Sequence, residues 1–201
     1  MLKSTKMFGV FASLAIAVPI TAFAANVKES VQVADHYMFQ PAPAAPTLAP
    51  GATILIRDLK NRVVTATLTS AALEPHAAYS IWWVIFNRPQ NCAIPWECGG
   101  GDLSNDAVRP SVFWAGGLLA DGDGYGNTQI ELVQGRTNRE LFGPMKATGL
   151  QNIFKAEIHL VLRTHGPVGV AGTVADQVGS ANLACPAEGC SNKFFSIHRV
   201  Q

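Results

Sequence analysis

The chain is poor in charge. Asp, Glu, Lys and Arg make up 14% of its 201 residues, and no basic cluster occurs. A nucleic acid or an anionic membrane surface therefore has no electrostatic footprint to bind, and neither is expected as a partner. Catalytic signatures are missing too. There is no G-x-S-x-G nucleophile turn. The glycine-rich "CGGGDLSND" (98–106) is not followed by the G-K-[ST] ending of a phosphate loop. No two carboxylates are singled out as the acid and base of a glycosidase. Long helical periodicity is absent. The one candidate helix is a short stretch near "NRELFGPMK" (138–146), interrupted by Gly143-Pro144. No internal repeat is detected.

The first long apolar run lies at the N-terminus. Lys3 and Lys6 precede "MFGVFASLAIAVPITAFA", and Ala22-Phe23-Ala24 has the small-x-small form of a cleavage site. The run approaches the length of a membrane span, so an uncleaved anchor is the competing reading. Pro19 and the small residues at the site favour cleavage, and no cysteine follows it to carry a lipid. The expectation is a signal peptide over 1–24 and a secreted or periplasmic mature chain from Ala25, with no stable membrane anchor. Loss of the two lysines takes the formal charge from +1 to −1.

Cysteine is scarce, and its spacing is local: Cys92 with Cys98, and Cys185 with Cys190. Export favours disulfides, and the two local pairings are preferred among the three connectivities four cysteines allow. Each would contribute roughly 2 kcal/mol by closing a small loop. A zinc site of all four thiolates is the alternative, and its close ligand spacing is only half matched.

The remainder has a β pattern. In "VVTATLTS" (63–70), Val64, Ala66 and Leu68 share one face and the threonines the other, which is the period of a half-buried strand. "AYSIWWVIFN" (78–87) is apolar on both faces, as a strand covered on both sides would be. "ATILIRD", "SVFWAGG", "GNTQIELV", "KAEIHLVLRTH" and "KFFSIHRV" continue the series. The expected fold is all-β, an antiparallel Greek-key β-sandwich or barrel with long loops and at most one short helix. The Pro/Ala-rich "PAPAAPTLAP" (41–50) reads as an extended connector. Residues 25–50 are expected to form an N-terminal arm or edge strand, and 51–201 a single domain.

"AEIHLVLRTHGP" (156–167) carries the densest chemistry. Ala156, Ile158, Leu160 and Leu162 share one parity; Glu157, His159, Val161, Arg163 and His165 share the other. His159 and His165 stand about 20 Å apart along a strand, too far to chelate one ion. Glu157 and His159, at about 6.6 Å, are close enough to do so. Their partners would come from His76, His198 or His36, with His76 and His198 preferred, and the metal would be copper or zinc. The competing reading is a solvated sheet face with cross-strand ion pairs; a catalytic acid/base pair is a third. His165, before Gly166-Pro167, is assigned to the turn.

Two further features invite a ligand. "DGDGYGN" (121–127) places Asp121, Asp123 and Gly126 as in a calcium loop, but Glu131 falls one position early, so a tight turn is preferred. Trp82 and Trp83 are adjacent in a strand and must face opposite sides. Trp83, with Trp96 inside the Cys92–Cys98 loop, is a candidate ligand-binding aromatic, and a carbohydrate platform is one use for it.

Short stretches resemble known families. "AALEPHAAYSIWWVIFNRPQNCA" and "GGGDLSN" are similar in layout to segments of Cu,Zn superoxide dismutases, and "HGPVGVAGTV" (165–174) resembles the turn of secreted CHRD-type domains. The resemblance implies a Greek-key β-sandwich. It does not imply dismutase activity, because the strand that would carry the copper histidines reads Ile81-Trp82-Trp83-Val84-Ile85. The leading expectation is an exported, non-enzymatic binding or structural module acting on an extracytoplasmic ligand or protein. An envelope role would add an exposed apolar patch near Trp96 or the Pro-rich arm. The alternatives are a metalloprotein built on Glu157 and His159 and a carbohydrate-binding module.

Overall fold

The computed structural model describes residues 29–40, 44–137 and 148–200. Within these residues eight antiparallel strands form one sheet: β1 (Glu29–Met38), β2 (Thr47–Asp58), β3 (Val63–Ser70), β4 (Ala77–Phe86), β5 (Pro110–Leu119), β6 (Gly126–Val133), β7 (Glu157–Pro167) and β8 (Ser191–His198). Their order is β5-β4-β7-β8-β1-β2-β3-β6. The end strands β5 and β6 meet across a seam, so the sheet is a nearly closed barrel. Gly116 permits this approach, since a Cβ there would fall 2.7 Å from Ile130 Cγ2. Across the seam β4, β5 and β6 run consecutively while β3 returns beside β6, a Greek key. The all-β reading holds. The helix expected at 138–146 lies outside the described residues, as do residues 1–28.

One short α-helix is present among the described residues, α1 (Val174–Gly179). Thr173 caps it: its Oγ1 accepts from Asp176 N at 3.1 Å and donates to Asp176 Oδ2. Six residues are too few for an apolar period, so the sequence pattern does not disclose it. The helix lies on β5, where Trp114 Nε1 donates to Val178 O at 2.8 Å. Gly117 allows this contact; a Cβ there would sit 2.4 Å from that of Val178.

The barrel interior is filled by the inward parity of each strand. Val64, Ala66 and Leu68 of β3, Tyr79, Ile81, Trp83 and Ile85 of β4, and Ile158, Leu160 and Leu162 of β7 are all buried in it. All ten residues of β4 are buried because its outer face is covered as well. That cover forms a second apolar cluster, in which Trp82, Val84 and Phe86 pack against Val108, Val112 and both cysteines of the 92–98 loop. The disulfides Cys92–Cys98 and Cys185–Cys190 are both closed, as the local spacing predicts, and lie near opposite ends of β7. A four-thiolate zinc site is therefore excluded.

The N-terminal segment is not an appended arm. β1 pairs with β2 along its length and joins β8 through Tyr37↔Phe195 and Met38↔Phe194. The Pro-rich connector ends inside β2, where Pro50 and Gly51 fall at the register shift between the Asp35↔Ala52 and His36↔Ala49 pairs. A proline, lacking a backbone donor, fits the unpaired position of such a bulge. The domain therefore begins at or before Glu29, not at residue 51.

Candidate functional site

The polar parity of β7 is not a solvated face. Glu157 is fully buried and His159 nearly so, because the 92–104 segment folds down over them. Glu157 Oε1 accepts from the Cys98 backbone N–H at 3.1 Å and lies 2.7 Å from His159 Nε2. The His159 ring also packs edge-on against Phe86, with centroids 5.0 Å apart. The 92–104 segment owes its shape to Asp102, whose carboxylate accepts from Ala93 N and Gly99 N, each at 2.8 Å. Asp102 thereby ties the disulfide loop to the 3-10 turn Gly100–Ser104.

The proposed metal partners do not join this pair. His198 stands opposite Ile158 in the β7–β8 ladder, so it shares the interior parity, on the other side of the sheet from His159. His36 is interior too, stacked on Phe194 at 4.8 Å. His76 lies beyond Ala77, which pairs with Pro167 at the far end of β7, some 30 Å of strand from Glu157. Among the described residues, one group of three His, Cys, Asp or Glu has donor atoms within 4.8 Å of one another: His165, Cys185 and Cys190. Both of its sulfurs are spent in a disulfide. Among the described residues, a copper or zinc site on Glu157 and His159 thus finds no third or fourth ligand.

His165 is more than a turn residue. Ser80 Oγ is 2.8 Å from its Nε2, and Nδ1 is 3.1 Å from both Leu183 O and Cys190 Sγ. Trp82 Nε1 donates to the same Ser80 hydroxyl at 3.0 Å. Nδ1 therefore donates to the carbonyl, and Nε2 accepts from the serine. Burial holds this imidazole below its ordinary pKa. The Ser80–His165 pair is buried and anchors the second disulfide loop to the sheet. Arg163 does the same from the strand's edge, donating to Ala181 O at 2.7 Å.

The expected turn at 121–127 is observed. Asp121 Oδ1 accepts from Asp123 N at 3.0 Å and Tyr125 N at 2.8 Å, so this carboxylate oxygen shapes the turn from β5 to β6.

The tryptophans divide as their parity demands, but the candidate ligand residue is the wrong one of the pair. Trp83 is enclosed in the barrel interior; Trp82 faces outward into a cavity of about 330 Å³. β4 supplies Trp82, Val84 and Phe86 to this cavity, β7 supplies His159 and Val161, and β8 supplies Phe195 and Ile197. Phe39 and Leu103 flank it, and the Cys98–Gly100 backbone closes one side. Among the described residues, His159 is its sole ionisable lining residue, and Asn192 of β8 adds a neutral polar side chain. Trp96 is 46% exposed and is not part of the wall, so Trp82, Trp83 and Trp96 share no surface on which a sugar would stack. The β8 residues were missed because the sequence placed no strand beside His159; the outward pair Phe195 and Ile197, both apolar, is the signal that a cover or ligand faces them.

Comparison with protein-family models, curated proteins and solved structures finds no match to the chain. No described helix is long and apolar enough to cross a membrane.

Proposed function

We propose that the chain is an exported, non-enzymatic binding module that holds a small apolar ligand in the outer-face cavity over β4, β7 and β8. One observation carries the reading: about 330 Å³ of space walled mainly by aromatic and aliphatic side chains, with His159 and Asn192 as its polar side chains. That volume is at the lower end of small-molecule sites, and a mostly apolar wall with a few polar groups is their usual lining. The walls are preformed. The Cys92–Cys98 loop is held by its disulfide and by the Cys98 N–H bond to Glu157, which lowers the ordering cost of binding. The two disulfides and the N-terminal apolar run support a secreted or periplasmic location.

Calorimetric titration of the mature protein with naphthalene tests the binding role. Saturable binding is expected, and it should be lost in Val161→Trp, which fills the cavity from β7. Absence of binding in the folded wild type would sink the proposal. Export is tested separately by mass spectrometry of the protein recovered outside the cytoplasm, which should begin at Ala25.

A structural role in the envelope is the second reading. It is favoured by an exposed apolar stripe on the outer side of β1 and β2, where Val31, Val33 (71% exposed) and Leu48 stand uncovered.

A further inference from the structure

We infer that the ligand of this cavity carries a hydrogen-bond donor, an alcohol or phenol hydroxyl on an apolar body, and that His159 Nδ1 accepts from it. The inference rests on the binding role proposed above and adds the ligand's chemical class.

The argument is one of tautomer. Glu157 Oε1 already accepts from the Cys98 N–H, which marks it as the lone-pair oxygen of the carboxyl and assigns the hydrogen of the 2.7 Å contact to His159 Nε2. This holds whether Glu157 is ionised or protonated on Oε2, the oxygen that has no partner. A neutral imidazole with its hydrogen on Nε2 has a bare lone pair on Nδ1. Nδ1 makes no hydrogen bond to any described residue, and the exposed tenth of the His159 side chain opens on the cavity it lines. A methyl ether, a ketone or an ester offers only lone pairs to that nitrogen. A hydroxyl offers its hydrogen.

The ring is held for this task. Phe86 fixes its plane from one side and the Glu157 carboxyl fixes its edge, which in turn is fixed by the disulfide loop. The surrounding wall is aromatic, with Trp82, Phe86 and Phe195, and suits a flat or ring-containing body. Glu157 is therefore a positioning residue, and His159 the group that touches ligand.

Titration at pH 8 with naphthalene, 2-naphthol, 2-methoxynaphthalene and 2-naphthoate separates the two claims. Binding of naphthalene supports the cavity as a site. A preference for 2-naphthol over 2-methoxynaphthalene of about 3- to 10-fold supports the donor rule, the size of one net hydrogen bond. The preference should disappear in His159→Leu. Naphthalene binding without any naphthol preference overturns this inference and leaves the binding role standing. Tightest binding of 2-naphthoate overturns it as well, because that requires a cationic ring. Failure of all four compounds overturns the binding role itself. If His159→Leu does not fold, the imidazole ¹⁵N spectrum of the wild type decides: hydrogen on Nε2, with the Nδ1 resonance moving on addition of 2-naphthol, is expected, and hydrogen on Nδ1 would overturn the assignment.

Discussion

The two flanks of the barrel solve opposite problems. Along β3, β4 and β7 the interior parity is apolar, as in any sheet with one face on a core. Along much of β8 and β1 the pattern is inverted, although Phe194 and Met38 still face the core. Ser196 and His198 of β8 and Gln32 and His36 of β1 point inward, while Phe195, Ile197, Val31 and Val33 point outward. The same inversion carries Arg57 of β2 into the interior. The apolar outer residues of β8 line the cavity, and those of β1 form the exposed stripe. The polar interior of this flank is thus the counterpart of its apolar exterior. A barrel strand whose outer face binds something apolar has lost the usual reason to keep its polar residues outside.

Removing Arg57 should break this flank most severely. Its guanidinium donates to Gln32 Oε1, to Ile153 O and Ala156 O, and to His198 O. Burial lowers its pKa to about 10, so it stays charged at neutral pH. Arg57→Met would leave three carbonyls and an amide without their donor in the interior. A loss of at least about 3 kcal/mol in urea unfolding is expected. A loss below 1 kcal/mol would mean that the inverted flank is not organised around this residue. Leu68→Ala, on the apolar flank, is the control and should cost about 2–5 kcal/mol through its cavity alone.

Acid should discriminate the flanks next. His36 and His198 have no hydrogen-bond partner for either ring nitrogen among the described residues. Burial lowers the pKa of His36 to about 4; burial first, then the charges of Arg57 and His159, lower that of His198 to about 3. Both are neutral in the fold, while in the unfolded chain they take up a proton below about 6.5. The unfolded state then binds more protons, so stability is complete above 6.5 and falls as pH drops below it towards the folded values. Between pH 7 and 5 the loss should be of order 2 kcal/mol per histidine. Urea midpoints of the wild type and of His36→Phe, compared at both pH values, measure this. An equal pH slope in the variant would show that His36 does not contribute.

How much of this contrast was legible depends on the strand. In β3 the period of two states both the element and its core face, and the structure agrees residue by residue; β4, apolar on both faces in sequence, is buried on both. In β7 the period states correctly which residues share a face, but alternation reports orientation and not cover. What buries Glu157 and His159 is an aperiodic loop stapled by Cys92–Cys98, and nothing in β7 announces it. In β8 Phe194 faces the core while Phe195 and Ile197 face outward, so its apolar residues do not tell inside from outside. His198 accordingly looked available to His159, although the two occupy opposite faces. Adjacent Trp82 and Trp83 illustrate the same limit: parity separates them, and only the packed barrel decides which is core.

The two disulfide loops sharpen the comparison at smaller cost. Each should contribute roughly 2 kcal/mol to stability by chain entropy. They differ in what they hold. Cys98 is bonded to Glu157 and borders the cavity, whereas Cys190 lies against His165 at the other end of β7. The double variant Cys92→Ser/Cys98→Ser is therefore expected to weaken naphthalene binding as well as stability. Cys185→Ser/Cys190→Ser is expected to lose stability alone. Calorimetry on both, at a temperature where each is folded, makes the test; equal affinities would detach the first loop from the site.

The smallest effect is expected at Trp96, and it bears on the reading of the whole outer face. Its exposure made it the natural ligand aromatic, yet its backbone holds a positive φ of 68° that a side chain disfavours, and it is not part of the cavity wall. Trp96→Gly removes both the exposed ring and that conformational penalty, so stability should stay within about 0.5 kcal/mol and naphthalene affinity should not change. Trp82→Phe is the informative counterpart. It keeps an aromatic wall but deletes the indole N–H that Ser80 accepts, which loosens the Ser80–His165 link and enlarges the cavity. Affinity should fall several-fold there and nowhere near Trp96. Were Trp96→Gly instead to lower affinity, the ligand would sit over the disulfide loop, and the inverted strands would need another explanation for their apolar outer faces.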